Sequence, residues 1–175
     1  RYKYGLFKQD FENGFQKELP DDWQRFGDPW SIRKDDESMT ISFADMVVTA
    51  VPYDMPVFGK RINLLRLYQA EGSAAAEEIS EYLYPADDTE EGKILRLRQE
   101  YFFTAAACRD IVQNFVRLHG TNFKNLGKYN TIQLNDTHPV LAIAELIRIM
   151  TAEYAVSFKA ALDAVKGTFA YTNHT

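Results

Sequence analysis

The chain has 175 residues, 46% of them hydrophobic, and a net charge of −5 from 20 basic and 25 acidic side chains. This length suits one packed domain that buries about 70% of its unfolded surface. The acidic balance and the lack of a basic stripe argue against a nucleic-acid partner, and no apolar stretch reaches the roughly 20 residues of a membrane span.

Aromatic side chains crowd the first thirty residues, which lack the charged start and apolar core of a signal peptide. They are Tyr2, Tyr4, Phe7, Phe11, Phe15, Trp23, Phe26 and Trp30. Their irregular spacing and the turn-rich stretches ELPDDW and FGDPW predict a helix followed by extended loops. We expect the aromatics to form a packed cluster, with a sugar-stacking platform as the alternative.

The next segment is typical of strands. MTISFADMVVTAVPYDMPVFG alternates β-branched and aromatic residues, which predicts two strands and an irregular turn, and INLLRLYQA predicts a third strand. SAAAEEISEYLYP predicts a short helix capped by Ser73 and ending before Pro85.

A long amphipathic helix is predicted in ADDTEEGKILRLRQEYFFTAAACRDIVQNFVRLHG. Acidic residues and Thr89 gather at its start and Gly120 closes it. One apolar stripe recurs at three- and four-residue steps, formed by Ile94, Leu97, Tyr101, Ala105, Cys108, Ile111, Phe115 and Leu118. We interpret this stripe as core. Cys108, the one cysteine, excludes an internal disulfide and is interpreted as a small buried hydrophobe, which fits a reducing cytoplasm.

The last third predicts strand, crossover and strand. TIQLND is apolar without clean alternation, so we expect it to be covered on both faces. Pro139 suits the first turn of the next helix, with Thr137 or His138 as its cap. SFKAALDAVK is a second helix between Ser157 and Gly167, and TFAYT returns to strand. If the two strands are parallel, their carboxyl ends share the edge where open α/β sheets bind ligands.

Polar clusters follow both strands at that edge. Neighbouring strands are about 4.8 Å apart, so Asp136 and His138 could converge with Asn173 and His174. Neutral donors and acceptors with one carboxylate suit sugar hydroxyls. Structural alternatives stay open, because Asp136 and Thr137 could cap the helix and each histidine could be structural. Zinc held by His138, His174 and Asp136 is a further alternative, although no close histidine pair supports it.

Several long motifs resemble the glycogen and maltodextrin phosphorylase family. They are IQLNDTHPVLAIAELIRI, TFAYTNHT, RYKYGLFKQ, DDWQRFGDPW, AVPYDMPVFG, LRLYQA, EYLYP and EGKILRLRQEYFF, in the order that family has them. The resemblance implies a cytoplasmic, homodimeric glycosyltransferase that uses pyridoxal phosphate. Such an enzyme cleaves the terminal α-1,4-linked glucose of a glucan with orthophosphate and releases glucose 1-phosphate.

The resemblance also implies a domain organisation. Family members are several times longer, so we expect this chain to be an inner part of the N-terminal half and to be inactive alone. The implied fold class is α/β, a partial Rossmann-like unit of GT-B type with an added β-rich segment. Residues 1–72 would form the aromatic, β-rich segment and residues 73–175 the α/β segment. The Schiff-base lysine would lie outside the chain. A glucan-binding or scaffold module of phosphorylase ancestry is the alternative.

Site residues carry over position by position. His174 resembles the family histidine that binds glucose in the cleavage subsite, and Thr175 follows it at the same site. Asp136 and His138 resemble the pair that lines the glucose subsites on either side of the scissile bond. No complete catalytic set, cofactor site or metal site is expected within the chain.

Two departures from the animal enzymes bear on function. The stretch ADDTEEG resembles the family's mobile gate, where Asp87 agrees with the usual acid and Asp88 replaces an asparagine that binds a sugar hydroxyl. Aspartate accepts a hydrogen bond from a hydroxyl but cannot donate one. Gln113 and Asn114 replace an arginine pair that helps to bind the phosphate of AMP. Neutral amides cannot supply that charge, so we expect no AMP activation of this kind.

Overall fold

The computed structural model describes residues 6–21 and 30–174, in which strands and helices are mixed as expected for an α/β chain. The chain divides into two compact units, Arg1–Arg96 and Leu97–Thr175. The division into segments 1–72 and 73–175 stays a prediction. Within the described ranges, no helix combines the length and the apolar composition of a membrane span.

The first unit is built mainly from antiparallel strands. Its described elements are β1 (Leu6–Glu12), β2 (Phe15–Asp21), β3 (Ile32–Arg33), β4 (Met39–Ser42), β5 (Val47–Val57), β6 (Asn63–Glu71) and α1 (Ala74–Glu78). β5 is the longest strand, and β3, β4 and β6 all pair with it. The three strands predicted between residues 39 and 70 are thus confirmed, and β5 runs through Pro52 and Pro56.

The helix predicted near the start of the chain is wrong. β1 and β2 form an antiparallel hairpin, in which Glu12 pairs with Phe15. Asn13 and Gly14 connect them with φ values of 55° and 82°. Asn-Gly favours this left-handed pair of conformations, which matches the twist of a hairpin, so local turn chemistry decides against a helix.

The expected aromatic cluster is wrong for those members whose side chains are described. Phe11 and Phe15, on the two hairpin strands, are 74% and 77% exposed, and Trp30 is 62% exposed. A two-stranded ribbon has no second layer of its own on which to bury such rings. Tyr2, Tyr4, Trp23 and Phe26 lie outside the described residues.

Helix α1 is capped as predicted but is shorter. The Ser73 hydroxyl accepts a hydrogen bond from the Ala76 N–H, and the helix ends at Glu78 instead of near Pro85. Past that end, the buried Ser80 hydroxyl accepts the N–H of Ala70 on β6 at 2.9 Å. This bond ties the chain to the sheet edge, which explains the early stop.

The second unit packs helices against a short parallel sheet. Its described elements, the first of which begins before the unit boundary, are α2 (Glu90–His119), α3 (Leu126–Tyr129), β7 (Ile132–Asn135), α4 (Leu141–Arg148), α5 (Phe158–Lys166) and β8 (Phe169–Thr172). A π-helical turn, Ile149–Glu153, extends α4. The core joins α2, α4 and α5 around fully buried residues such as Phe115, Leu126 and Leu146. Ser157 caps α5 and Gly167 ends it, both as predicted.

The apolar stripe of α2 is core only in its middle. Ala105, Cys108 and Phe115 are buried, as predicted. Ile94, Leu97 and Leu118 are 53%, 56% and 62% exposed, so their assignment to the core is wrong. α2 has 30 residues, whereas α4 and α5 have eight and nine, and the ends of a helix of about 45 Å extend past such short partners.

Candidate functional site

The two polar clusters follow neighbouring parallel strands. β7 and β8 are parallel and in register, with Asn135 opposite Thr172, which confirms the expected strand, crossover and strand. The Asp136 N–H continues the ladder by donating to the Thr172 carbonyl oxygen at 2.9 Å. β7 is covered on one face only, because Leu134 is buried in the core while Gln133 and Asn135 are exposed. The expectation of cover on both faces is therefore wrong for the described chain.

Asp136 makes the turn that leaves β7. Its φ of 70° lies in the left-handed region, which aspartate tolerates better than most residues but which is uncommon outside glycine. Its Oδ1 accepts the Thr137 N–H at 2.7 Å. Because of this turn, α4 begins only at Leu141. Its N-cap residue, Val140, makes no side-chain capping hydrogen bond. The prediction of a helix that starts at Pro139 with Thr137 or His138 as cap is thus wrong by two residues.

His138 lies between two carboxylates. Its Nδ1 is 3.3 Å from Oε1 of Glu100 on α2, and its Nε2 is 4.0 Å from Oδ2 of Asp136. All three side chains are half-buried, with exposures of 24% to 32%. The structure therefore brings Asp136 and His138 together, with Glu100 behind the imidazole.

His174 reaches back to the end of β7. Its Nε2 forms a short hydrogen bond with Oδ1 of Asn135. The Asn173 side chain accepts the His174 N–H at 3.1 Å, which stabilises the chain just past β8. With Asn135 as the acceptor, Nε2 carries the proton, so Nδ1 of a neutral ring can accept a further bond. Thr175 lies outside the described residues.

The predicted gate residues belong to the first unit. Asp87 pairs with Arg96 at 2.9 Å and Asp88 is exposed. The Thr89 hydroxyl accepts the Gly92 N–H at 3.1 Å. A Cβ at Gly92 would lie only 2.0 Å from the Ala86 carbonyl oxygen, so this close approach of backbone requires glycine.

The Glu145 carboxylate on α4 accepts a hydrogen bond from α2 and pairs with a charged neighbour on its own helix. Arg148 donates two hydrogen bonds to Glu145, at 2.7 and 2.8 Å, and Glu145 is only 4% exposed. The Tyr101 hydroxyl donates to the same carboxylate at 3.4 Å. Burial, followed by the charge of Glu145, raises the pKa of Tyr101. The hydrogen bonds to Glu145 raise the pKa of Arg148, so the guanidinium stays charged.

The described residues do not fit pyridoxal phosphate or a catalytic thiol. Among the lysines with described side chains, all are exposed except Lys34, which is half-buried and bonded to Glu37. A Schiff-base lysine needs a sheltered, desolvated amine. Burial raises the pKa of Cys108 to about 12, and its thiol donates to the Ala142 carbonyl oxygen. Across the described ranges, no three histidine, cysteine or acidic side chains are grouped closely enough to hold a metal ion.

Two residues of this site were missed in the sequence. Glu100 and His138 are 38 positions apart in the sequence, and Asn135 and His174 are 39 positions apart. Asn135 is part of the same LND stretch as Asp136 and could have been included on that ground. Glu100 carries no local signal, because it is one of many charged residues on a long helix.

Fold and site together define a class of protein, an α/β chain that places two histidines and a carboxylate at the carboxyl edge of two parallel strands. The family model described as carbohydrate phosphorylase matches residues 1–175, and the chain belongs to this family. It is 38% identical to the glycogen phosphorylase of Bacillus subtilis, 37% to the liver form of Homo sapiens and 36% to the chloroplastic/amyloplastic α-1,4 glucan phosphorylase L isozyme of Ipomoea batatas. These matches cover the whole chain but only 26%, 26% and 23% of the relatives, so the chain spans about a quarter of their length.

Proposed function

We propose that the chain is part of an α-glucan phosphorylase. The parent enzyme would cleave the terminal α-1,4-linked glucose of glycogen or maltodextrin with orthophosphate and give α-D-glucose 1-phosphate. The observation that carries the proposal is the match to the carbohydrate phosphorylase family over every residue, together with relatives named glycogen phosphorylase. The chain would contribute sugar-subsite and gate residues and would be inactive alone.

The sugar subsites would be formed by the two strand ends. Asp136 and His138 leave β7, and His174 leaves β8 beside it. The Asp136 carboxylate accepts hydrogen bonds from sugar hydroxyls, and each neutral imidazole adds one further acceptor. Hydroxyl contacts of this kind position the glycosidic bond for attack without taking part in the transfer of a proton or a bond.

The remaining features of the parent enzyme extend the proposal. Its fold would be of GT-B type, with residues 86–92 as the gate over the catalytic cleft. Pyridoxal phosphate would supply the phosphate chemistry and would be bound outside the described residues, since no described lysine suits it. We further propose a homodimer. The cytoplasm is the proposed location, although one relative is named as a chloroplastic form.

The test is release of glucose 1-phosphate from maltoheptaose by the full-length protein that carries this chain, with and without orthophosphate. Asp136→Asn keeps a residue that tolerates the left-handed turn but removes the charge that accepts hydroxyl donors. The amide oxygen still accepts, so the change replaces a charged bond of about 1.5–3 kcal/mol by a neutral one of about 1 kcal/mol, and kcat/KM should fall about 2- to 30-fold.

Asp163→Asn is the matched control, because Asp163 is exposed on α5 and pairs with Lys159 one turn earlier on the same helix. Its kcat/KM should equal that of the wild type. If the wild type binds maltoheptaose but releases no glucose 1-phosphate, the phosphorylase proposal is wrong and a glucan-binding module of the same ancestry takes its place.

A further inference from the structure

We propose that Glu100 is a positioning residue that holds the His138 imidazole in the orientation and tautomer that bind a glucosyl residue. This inference rests on the proposed function and adds a residue from α2 to the site. Glu100 Oε1 lies 3.3 Å from Nδ1 of His138, and the opposite ring nitrogen faces Asp136 at 4.0 Å. The His138 imidazole therefore lies between a carboxylate on α2 and the carboxylate that follows β7.

The Glu100 carboxylate determines which nitrogen of the His138 ring carries the proton. An ionised Glu100 can only accept a hydrogen bond, so Nδ1 of His138 must be the donor. In neutral His138, Nε2 is then left with its lone pair on the side of Asp136. Nε2 and the Asp136 carboxylate together form a pair of acceptors, which is complementary to two hydroxyl groups of one sugar ring.

The same pair of acceptors discriminates against anions. A phosphate oxygen at Nε2 would meet a lone pair and lie beside the Asp136 charge, and like charges at this distance repel. We therefore assign this end of β7 to the neutral sugar, and the orthophosphate must be bound by other groups of the parent enzyme.

The position of Glu100 is held by its neighbours on α2. Gln99 and Phe102 are 3% and 0% exposed, so the helix is packed on both sides of Glu100. Tyr101, the next residue, donates to Glu145 on α4, the helix that follows His138. Because these contacts fix the position of Glu100, its carboxylate can fix the orientation of the His138 ring.

A double-mutant cycle in the full-length protein tests the inference. Glu100→Met keeps side-chain length and helix propensity but removes the acceptor, whereas Glu100→Gln keeps an oxygen that can accept from Nδ1. With maltoheptaose and orthophosphate, Glu100→Met should lower kcat/KM about 10-fold, and Glu100→Gln less than about 3-fold. In a His138→Ala background, Glu100→Met should cost less than about 2-fold, because its target is gone.

Glu78→Met is the matched control, because Glu78 is an exposed helical glutamate on α1, and its kcat/KM should equal that of the wild type. Additive losses in the cycle, or a Glu100→Gln variant as impaired as Glu100→Met, would overturn the positioning role while the phosphorylase activity of the wild type stands. If the wild type releases no glucose 1-phosphate, the proposed function is wrong. The same four variants are then compared by their dissociation constants for maltoheptaose, measured by isothermal titration calorimetry. A wild type that neither reacts nor binds overturns both proposals.

Discussion

Replacing Gly127 by alanine should destabilise the second unit at a point that connects to the candidate site. A Cβ at Gly127 on α3 would lie 2.2 Å from the Gly167 carbonyl oxygen and 2.7 Å from its carbonyl carbon. The first distance is 1.2 Å short of the 3.4 Å at which ordinary van der Waals contact begins. Both atoms are backbone, so neither can rotate away and α5 must move from α3. Overpacking of this kind costs about 1–3 kcal/mol, and we expect the free energy of unfolding to fall by about that amount.

The strain should reach β8 through hydrogen bonds. Gly167 ends α5, and the carbonyl oxygen of the next residue, Thr168, accepts the N–H of Ile132, the first residue of β7, at 2.8 Å. Hydrogen exchange of the full-length protein, followed by mass spectrometry of peptides that cover α5 and β8, measures such local opening. Exchange in these peptides should be faster in Gly127→Ala than in the wild type.

Gly59→Ala is the control, because the nearest atom to its new Cβ, the Arg61 carbonyl oxygen, is 3.6 Å away. It should leave exchange in α5 and β8 unchanged. Equal exchange rates and equal unfolding midpoints in Gly127→Ala, Gly59→Ala and the wild type would refute the argument from close approach.

Three further predictions concern the gate, the thiol and regulation. Gly92→Ala should displace residues 86–89, because its Cβ would lie 2.0 Å from the Ala86 carbonyl oxygen, and the KM for maltoheptaose should rise severalfold; an unchanged KM would show that this contact does not shape the gate. Burial raises the pKa of Cys108 to about 12, so at pH 8.5 the thiol should react with iodoacetamide about 100-fold more slowly in the native protein than in urea. The alkylation rate is measured on the tryptic peptide 99–109, and equal rates would contradict the burial of Cys108. AMP should not raise the rate of the full-length enzyme, because Gln113 and Asn114 carry no charge; a severalfold increase, with an animal glycogen phosphorylase as positive control, would contradict this.

Local patterns predicted the elements whose signals lie within one stretch of sequence. Ser73 and Ser157 accept the capping bonds expected of them, and Gly120 follows α2 with a φ of 73°. The strand, crossover and strand also followed from local patterns, whereas the parallel pairing of β7 and β8 was only a condition in the sequence and is supplied by the structure. The hairpin β1–β2 stands where a helix was predicted, although Asn13-Gly14 is a strong local signal for a two-residue hairpin turn.

The amino-acid sequence by itself determined the family and the two strand ends that carry Asp136, His138 and His174, because motifs and turn residues are local properties of a chain. Only the tertiary structure decided what surrounds them. It placed Glu100 behind His138 and Asn135 against His174, and it left the ends of the α2 stripe exposed. These contacts join residues nearly forty positions apart and depend on the length and packing of neighbouring elements, which no short window of sequence encodes.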